Sequence, residues 1–147
     1  MKILLSTQKK KILARLNEQF GIKEIPYLLL QFGEEKLRAY SGNFSIEELN
    51  ILDANLRIEI LGLYFAKLEK DGIRLTFDGV QLFKNQITKN IIILNDKQAE
   101  EWMKGQDLFM QSENCFKVLK HNNEFIGCGK STGERITNFV PKERRIK

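Results

Sequence analysis

Apolar residues in this chain come in short runs, such as the four at 27–30 and the four at 91–94, and polar or turn-forming residues soon close each one. That pattern limits the fold. A membrane-spanning helix needs roughly 20 consecutive apolar residues, and nothing here approaches that length. A core must therefore be assembled from short helices and hairpins. With 147 residues, 42% of them hydrophobic, there is material for one domain or two small ones. The apolar part of the N-terminal stretch, Ile3 to Leu5, is too short for a signal-peptide core and is followed by lysines. This predicts a cytoplasmic protein without a membrane partner.

Periodicity places the elements. Ile12, Leu13, Leu16 and Phe20 form one helical stripe from about Ser6 or Thr7 to a stop at Gly21. Residues 27–32 and 36–40 read as a hairpin around Gly33-Glu34-Glu35. Ser45 and Glu48 have the spacing of a capping box for a short helix carrying Ile46, Leu49 and Leu52. A second hairpin spans 61–68 and 73–77 across Lys70-Asp71-Gly72, and Asp78 is the expected cap of a brief helix after it. Residues 84–90 are polar and lack a hydrophobic period, which places a domain boundary there. Beyond it come a strand at 91–94, a helix capped by Asp96 and ended by Gly105, and then strand after strand: 108–110, 116–121, 124–128 and 135–140. Such a density of short strands predicts a small barrel-like β module. The expected fold class is α+β, with a mixed domain at 1–88 and a β module at 89–147.

Charge is distributed unevenly. Of the formal +5, residues 1–15 hold +5 (Lys2, Lys9, Lys10, Lys11, Arg15) and residues 129–147 hold +4, which leaves −4 for residues 16–128. Two basic ends on an acidic body suggest a localised anion-binding face. Lysine-rich termini are also common as plain solvated tails, so charge by itself names no ligand.

Most chemistry is excluded by what the chain lacks. Cys115, Cys128 and His121 are too few soft ligands for a structural zinc site. Two free thiols fit a cytosolic protein better than a disulfide. Gly129-Lys130-Ser131-Thr132 looks like the end of a phosphate-binding loop, but Glu124 stands where that motif needs its first glycine and no helix follows. The lone His121 lies beside an Asn122-Asn123 turn with no paired nucleophile. No metal, cofactor or catalytic residue is assigned.

The C-terminal segment is different in kind. Gly127 and Gly129 alternate with Cys128, which permits close approach of another backbone or a ligand. Lys130 and Arg135 flank the turn that follows, and Asn138, Lys142, Arg144 and Arg145 sit beyond the next strand. These cations would meet phosphates at several points.

From Ile91 onward the chain resembles the PUA domain, an RNA-binding pseudo-barrel. The pattern of Gly127, Gly129, Lys130, Asn138, Phe139, Pro141, Lys142 and Arg145 is similar to the PUA-like tail of Sun-family RNA cytosine-5 methyltransferases. The upstream half, through GLYFAKLEKDGIRLTFDGVQLF, resembles the pre-PUA domain of small two-domain ribosome-biogenesis proteins. The resemblance implies recognition of structured rRNA or tRNA in RNA modification or ribosome biogenesis, with Lys104 and Gly105 lining the same groove. Sun-type enzymes also need a glycine-rich cofactor site and cysteines after Pro and Thr, whereas Cys115 follows Asn114 and Cys128 follows Gly127. The expectation is a non-catalytic RNA-recognition protein. The alternative is an adaptor docking a separate RNA methyltransferase or a ribosomal protein.

Overall fold

A left-handed glycine ends the first helix and turns the chain into the first sheet. The computed structural model describes residues 1–147 except Arg57 and Glu59. Helix α1 (Ser6–Phe20) buries Ile12, Leu16 and Phe20, the stripe expected from their spacing. Gly21 adopts φ 82° and its N–H closes on the Asn17 carbonyl. Strands β1 (Lys2–Leu4), β2 (Leu28–Phe32), β3 (Lys36–Tyr40), β4 (Leu63–Glu69) and β5 (Gly72–Leu75) form an antiparallel sheet in chain order. The N-terminal strand was not expected; three residues carry too little alternation to show, and only pairing with β2 makes them a strand.

Local capping sets the helices that connect these strands. Helix α2 (Ile46–Asn55) carries the expected box: Glu48 N–H donates to Ser45 Oγ at 3.1 Å and Ser45 N–H to Glu48 Oε1 at 3.3 Å. Helix α3 (Phe77–Leu82) is capped by Thr76, whose Oγ1 accepts from Gly79 N–H at 2.9 Å, and not by Asp78. The β-branched hydroxyl one residue after β5 already holds the extended geometry a cap requires.

The second sheet contains β6 (Ile91–Ile93), β7 (Leu108–Phe109), β8 (Phe116–His121), β9 (Glu124–Ser131) and β10 (Arg135–Thr137), in the order β6-β8-β9-β10-β7. Its β6–β8 pair is parallel and the rest antiparallel. Between β6 and β7 lies α4 (Asp96–Met103), capped by Asn95 in a box with Gln98, again ahead of the aspartate expected. The turn at Asn122 and Asn123 has φ of 48° and 66°, which asparagine tolerates and which suits the hairpin twist.

The two sheets share a core. Leu16, Phe20, Leu29, Leu37, Phe65, Ile73, Val80 and Phe83 pack in one cluster with Phe116, Val118, Phe125 and Cys128 of β8 and β9. A smaller cluster of Leu94, Ala99, Trp102, Leu108, Leu119, Ile136 and Val140 lies on the opposite face of the second sheet, under α4. β9 thus has one face toward the first sheet and one toward α4. The architecture is α+β, a mixed N-terminal region followed by a small curled β module.

Candidate nucleic-acid interface

The turn after α4 is the hub of the basic residues. Gly105 there takes φ 90°, and a Cβ added to it would lie 2.4 Å from Arg145 Nε, so the arginine of the tail lies directly over the glycine backbone. Arg145 Nε donates to Val140 O at 3.0 Å, and Ile146 N–H to Met103 O at 2.9 Å. These bonds fold the last residues back across the end of α4. Lys104, on the same turn, pairs with Glu100 at 2.9 Å.

Asn138 fastens this turn from the other side. Its Nδ2 donates to Trp102 O (2.7 Å) and Gln106 O (2.9 Å), its Oδ1 accepts from Val140 N–H (2.8 Å), and its own N–H donates to Asp107 Oδ1 (2.8 Å). The other oxygen of Asp107 lies 3.6 Å from Arg135 Nε. With both amide hydrogens committed to main-chain carbonyls, Asn138 shapes the surface and has no donor left for a ligand.

The structure therefore brings Lys104, Gly105, Arg135, Asn138 and Arg145 together around residues 104–107. Arg144 stands one residue before Arg145, bonded to Asp78 at 2.8 Å and 5.7 Å above the Phe77 ring. Lys142 is exposed in a 3-10 turn, Lys142–Arg144. Lys130 is not part of the group. It lies near the end of β9, flanking the turn as expected, but its ammonium is bonded to Asp71 of the β4–β5 turn and sits 5.6 Å from the Phe116 ring. Strand alternation explains the separation: Gly129 faces α4, so Lys130 faces the first sheet. Its hydrogen bond is the main reason the Asp71 carboxyl is held below its ordinary range.

The glycines of β9 serve packing. Trp102 covers them: a Cβ at Gly129 would lie 2.6 Å from Trp102 Cη2, and one at Gly127 would lie 3.3 Å from Trp102 Nε1. The indole N–H donates to Ile126 O at 2.7 Å. What approaches this strand is a side chain of α4. On the strand's other face burial pushes the Cys128 thiol up to about 12, while Cys115 is half-buried, and both are free. His121 is not an isolated turn residue, since Nε2 lies 2.8 Å from Asp96 Oδ1. Among the described residues no group of three acidic, histidine or cysteine side chains could hold a metal.

One exposed aromatic escaped the sequence reading. Phe109 is 82% exposed on the edge strand β7, opposite Arg135, and the two line a shallow groove with Asn114, Thr132, Gly133 and Glu134. The signal was its place between Leu108 and Met110, because alternation turns the middle residue away from the core.

Known proteins share both the sequence and the fold of this region. The family model described as the methyltransferase RsmF PUA domain matches residues 89–146. The chain is similar to the ribosomal RNA small subunit methyltransferase F of Aeromonas salmonicida, 28% identical over 80 residues, and to that of Psychromonas ingrahamii, 32% identical over 82 residues. The matches cover 53% and 54% of this chain but 17% of each relative, so the chain spans about a sixth of the length of the curated relatives it matches. A crystal structure of a hypothetical protein from the hyperthermophilic archaeon Pyrococcus horikoshii OT3 shares the fold, with a TM-score of 0.58 and 11% identity over 95% of this chain and 92% of that one. No helix among the described residues is long and apolar enough to cross a membrane. Residues 89–146 thus match the PUA domain of RsmF methyltransferases, and the curled β module they form is similar to a PUA-like domain.

Proposed function

We propose that this protein binds structured RNA through the surface built from the α4–β7 turn and the returning tail, and catalyses no reaction itself. The observation that carries the reading is the seating of Arg145 on Gly105, which sets a guanidinium beside Lys104 on a turn held by Asn138. Fixed cations of this kind engage phosphates and position an RNA without reading its sequence. Lys104, Arg135, Lys142, Arg144 and Arg145 would meet the backbone, and Phe109 offers a flat surface to an unpaired base. The Asp78 and Asp107 partners lie at half-exposed sites, where phosphate can compete for the arginines. Lys130 is left out of this surface. In this reading residues 1–88 form a supporting domain and 89–147 the RNA-binding domain of a cytoplasmic protein. The relatives' name concerns small-subunit ribosomal RNA, which favours ribosomal over transfer RNA as ligand, in ribosome biogenesis or RNA modification.

The test is a salt titration of RNA affinity. Arg145→Gln and Lys142→Gln should each lower the slope of log K against log salt by about one unit for every phosphate no longer neutralised, for many RNA sequences alike. An unchanged slope removes the tail from the interface. The second reading, an adaptor for an RNA-modifying enzyme or ribosomal protein, is favoured by the exposed apolar residues on both edge strands of the second sheet, Ile93 at 77% and Phe109 at 82%. It predicts binding insensitive to salt and abolished by Ile93→Lys.

A further inference from the structure

A second feature lies where the outer face of the first sheet meets the tail. Tyr64, Arg74, Phe77, Phe139 and Glu143 line a cleft of about 270 Å³ at this junction. The Arg74 guanidinium lies 4.1 Å from the centre of the Phe139 ring. Arg74 is itself fixed from β4, with Nε 3.3 Å from Glu69 Oε1; the N–H is not aimed at that oxygen, so this is an ion contact without a hydrogen bond. Two further arginines lie against rings of its lining. Arg144 is 5.7 Å from the Phe77 ring, and Arg38, which donates to the Gly62 carbonyl at 2.9 Å, is 5.7 Å from the Tyr64 ring.

We infer that this cleft receives one unpaired nucleotide of the bound RNA, with its base among Tyr64, Phe77 and Phe139 and its flanking phosphates on Arg144 and Arg38. The inference rests on the RNA-binding reading and adds a site on the first sheet to it. Three properties support a nucleotide. The walls are aromatic rings and a guanidinium plane, surfaces on which any base can stack. Arginines lie beside two of its rings, Arg144 at Phe77 and Arg38 at Tyr64, where flanking phosphates could reach them. At about 270 Å³, walled by β4, β5, α3 and the tail, the site has room for a single base splayed from its helix and not for a duplex. The acids of the cleft then decide which base. Asp78 is held by Arg144 at 2.8 Å, whereas Glu143 is exposed and forms no ion pair among the described residues. A carboxylate accepts from an exocyclic amino group and repels a carbonyl edge, so cytosine or adenine is preferred to uracil.

The experiment uses the full chain and four RNA hairpins: one fully paired and three carrying a single bulged cytosine, adenine or uracil, with binding followed by fluorescence anisotropy at fixed salt. The expected result is that bulged cytosine and adenine bind about tenfold more tightly than the paired hairpin, with uracil between them. Tyr64→Leu should bring the bulged hairpins down to the level of the paired one. Glu143→Gln, on an exposed residue that cannot disturb the fold, should make cytosine and uracil equal, because an amide both donates and accepts. Equal affinity for all four hairpins overturns the cleft and leaves the tail surface standing. No binding to any hairpin at low salt overturns both.

Discussion

Asn138 and Gly129 show how single residues set the candidate surface without touching a ligand. Asn138 ties three backbone segments together with four hydrogen bonds. Asn138→Ala should cost about 1–3 kcal/mol in a urea melt, since the Trp102 and Gln106 carbonyls each lose a donor and the Val140 N–H loses its acceptor. Gly129→Ala should cost a similar amount, roughly 1–3 kcal/mol, because its methyl group would meet Trp102, Ile136 and the Thr137 carbonyl inside 3 Å. A Gly129→Ala protein as stable as wild type would mean that the indole can move aside. The thiols differ in the same local way. Brief alkylation at pH 8 followed by mass spectrometry should mark Cys115 and spare Cys128, whose burial keeps it a thiol until the protein unfolds.

At the scale of elements, α2, α3 and α4 are each capped by a side chain, and one ion pair adds to the apolar contact between the sheets. Asn95→Ala should destabilise the protein by about 1 kcal/mol through loss of the α4 cap. The β4–β5 turn is bound to β9 through Asp71 and Lys130. Since Lys130 lowers the folded-state affinity of Asp71 for a proton, the pair stabilises the fold above the ordinary aspartate range and ceases to do so as pH falls through the lowered value. The difference in Tm between wild type and Lys130→Gln should therefore be greatest near neutral pH and shrink on acidification. A difference that widens in acid would contradict this assignment. Screening at so exposed a pair keeps the effect small.

For the whole molecule, the continuous core decides how it unfolds. Phe116, Val118 and Phe125 of the second sheet share a cluster with Phe20 and Phe65 of the first region. Phe65→Ala should lower stability by about 3–5 kcal/mol. That loss should appear undiminished in the fluorescence of Trp102, the sole tryptophan, although Trp102 lies in the other cluster. Two separated transitions would show that the regions fold apart.

Short-range chemistry was legible in the amino-acid sequence: the stripe and glycine stop of α1, the Ser45–Glu48 box, the two hairpins and the Asn122-Asn123 turn all depend on residues within a few positions of one another. So did the PUA-like pattern of the last third. The caps of α3 and α4 shifted by one or two residues, because several neighbouring side chains could cap and packing of the following turn selected among them. What only the tertiary structure decided was which face each cation takes. Alternation along β9 sends Lys130 toward the first sheet, and the return of the tail over Gly105 brings Arg145 to Lys104. Both outcomes depend on partners 40 or more positions away, Asp71 for one and the α4 terminus for the other, and a linear charge pattern carries no record of such distances.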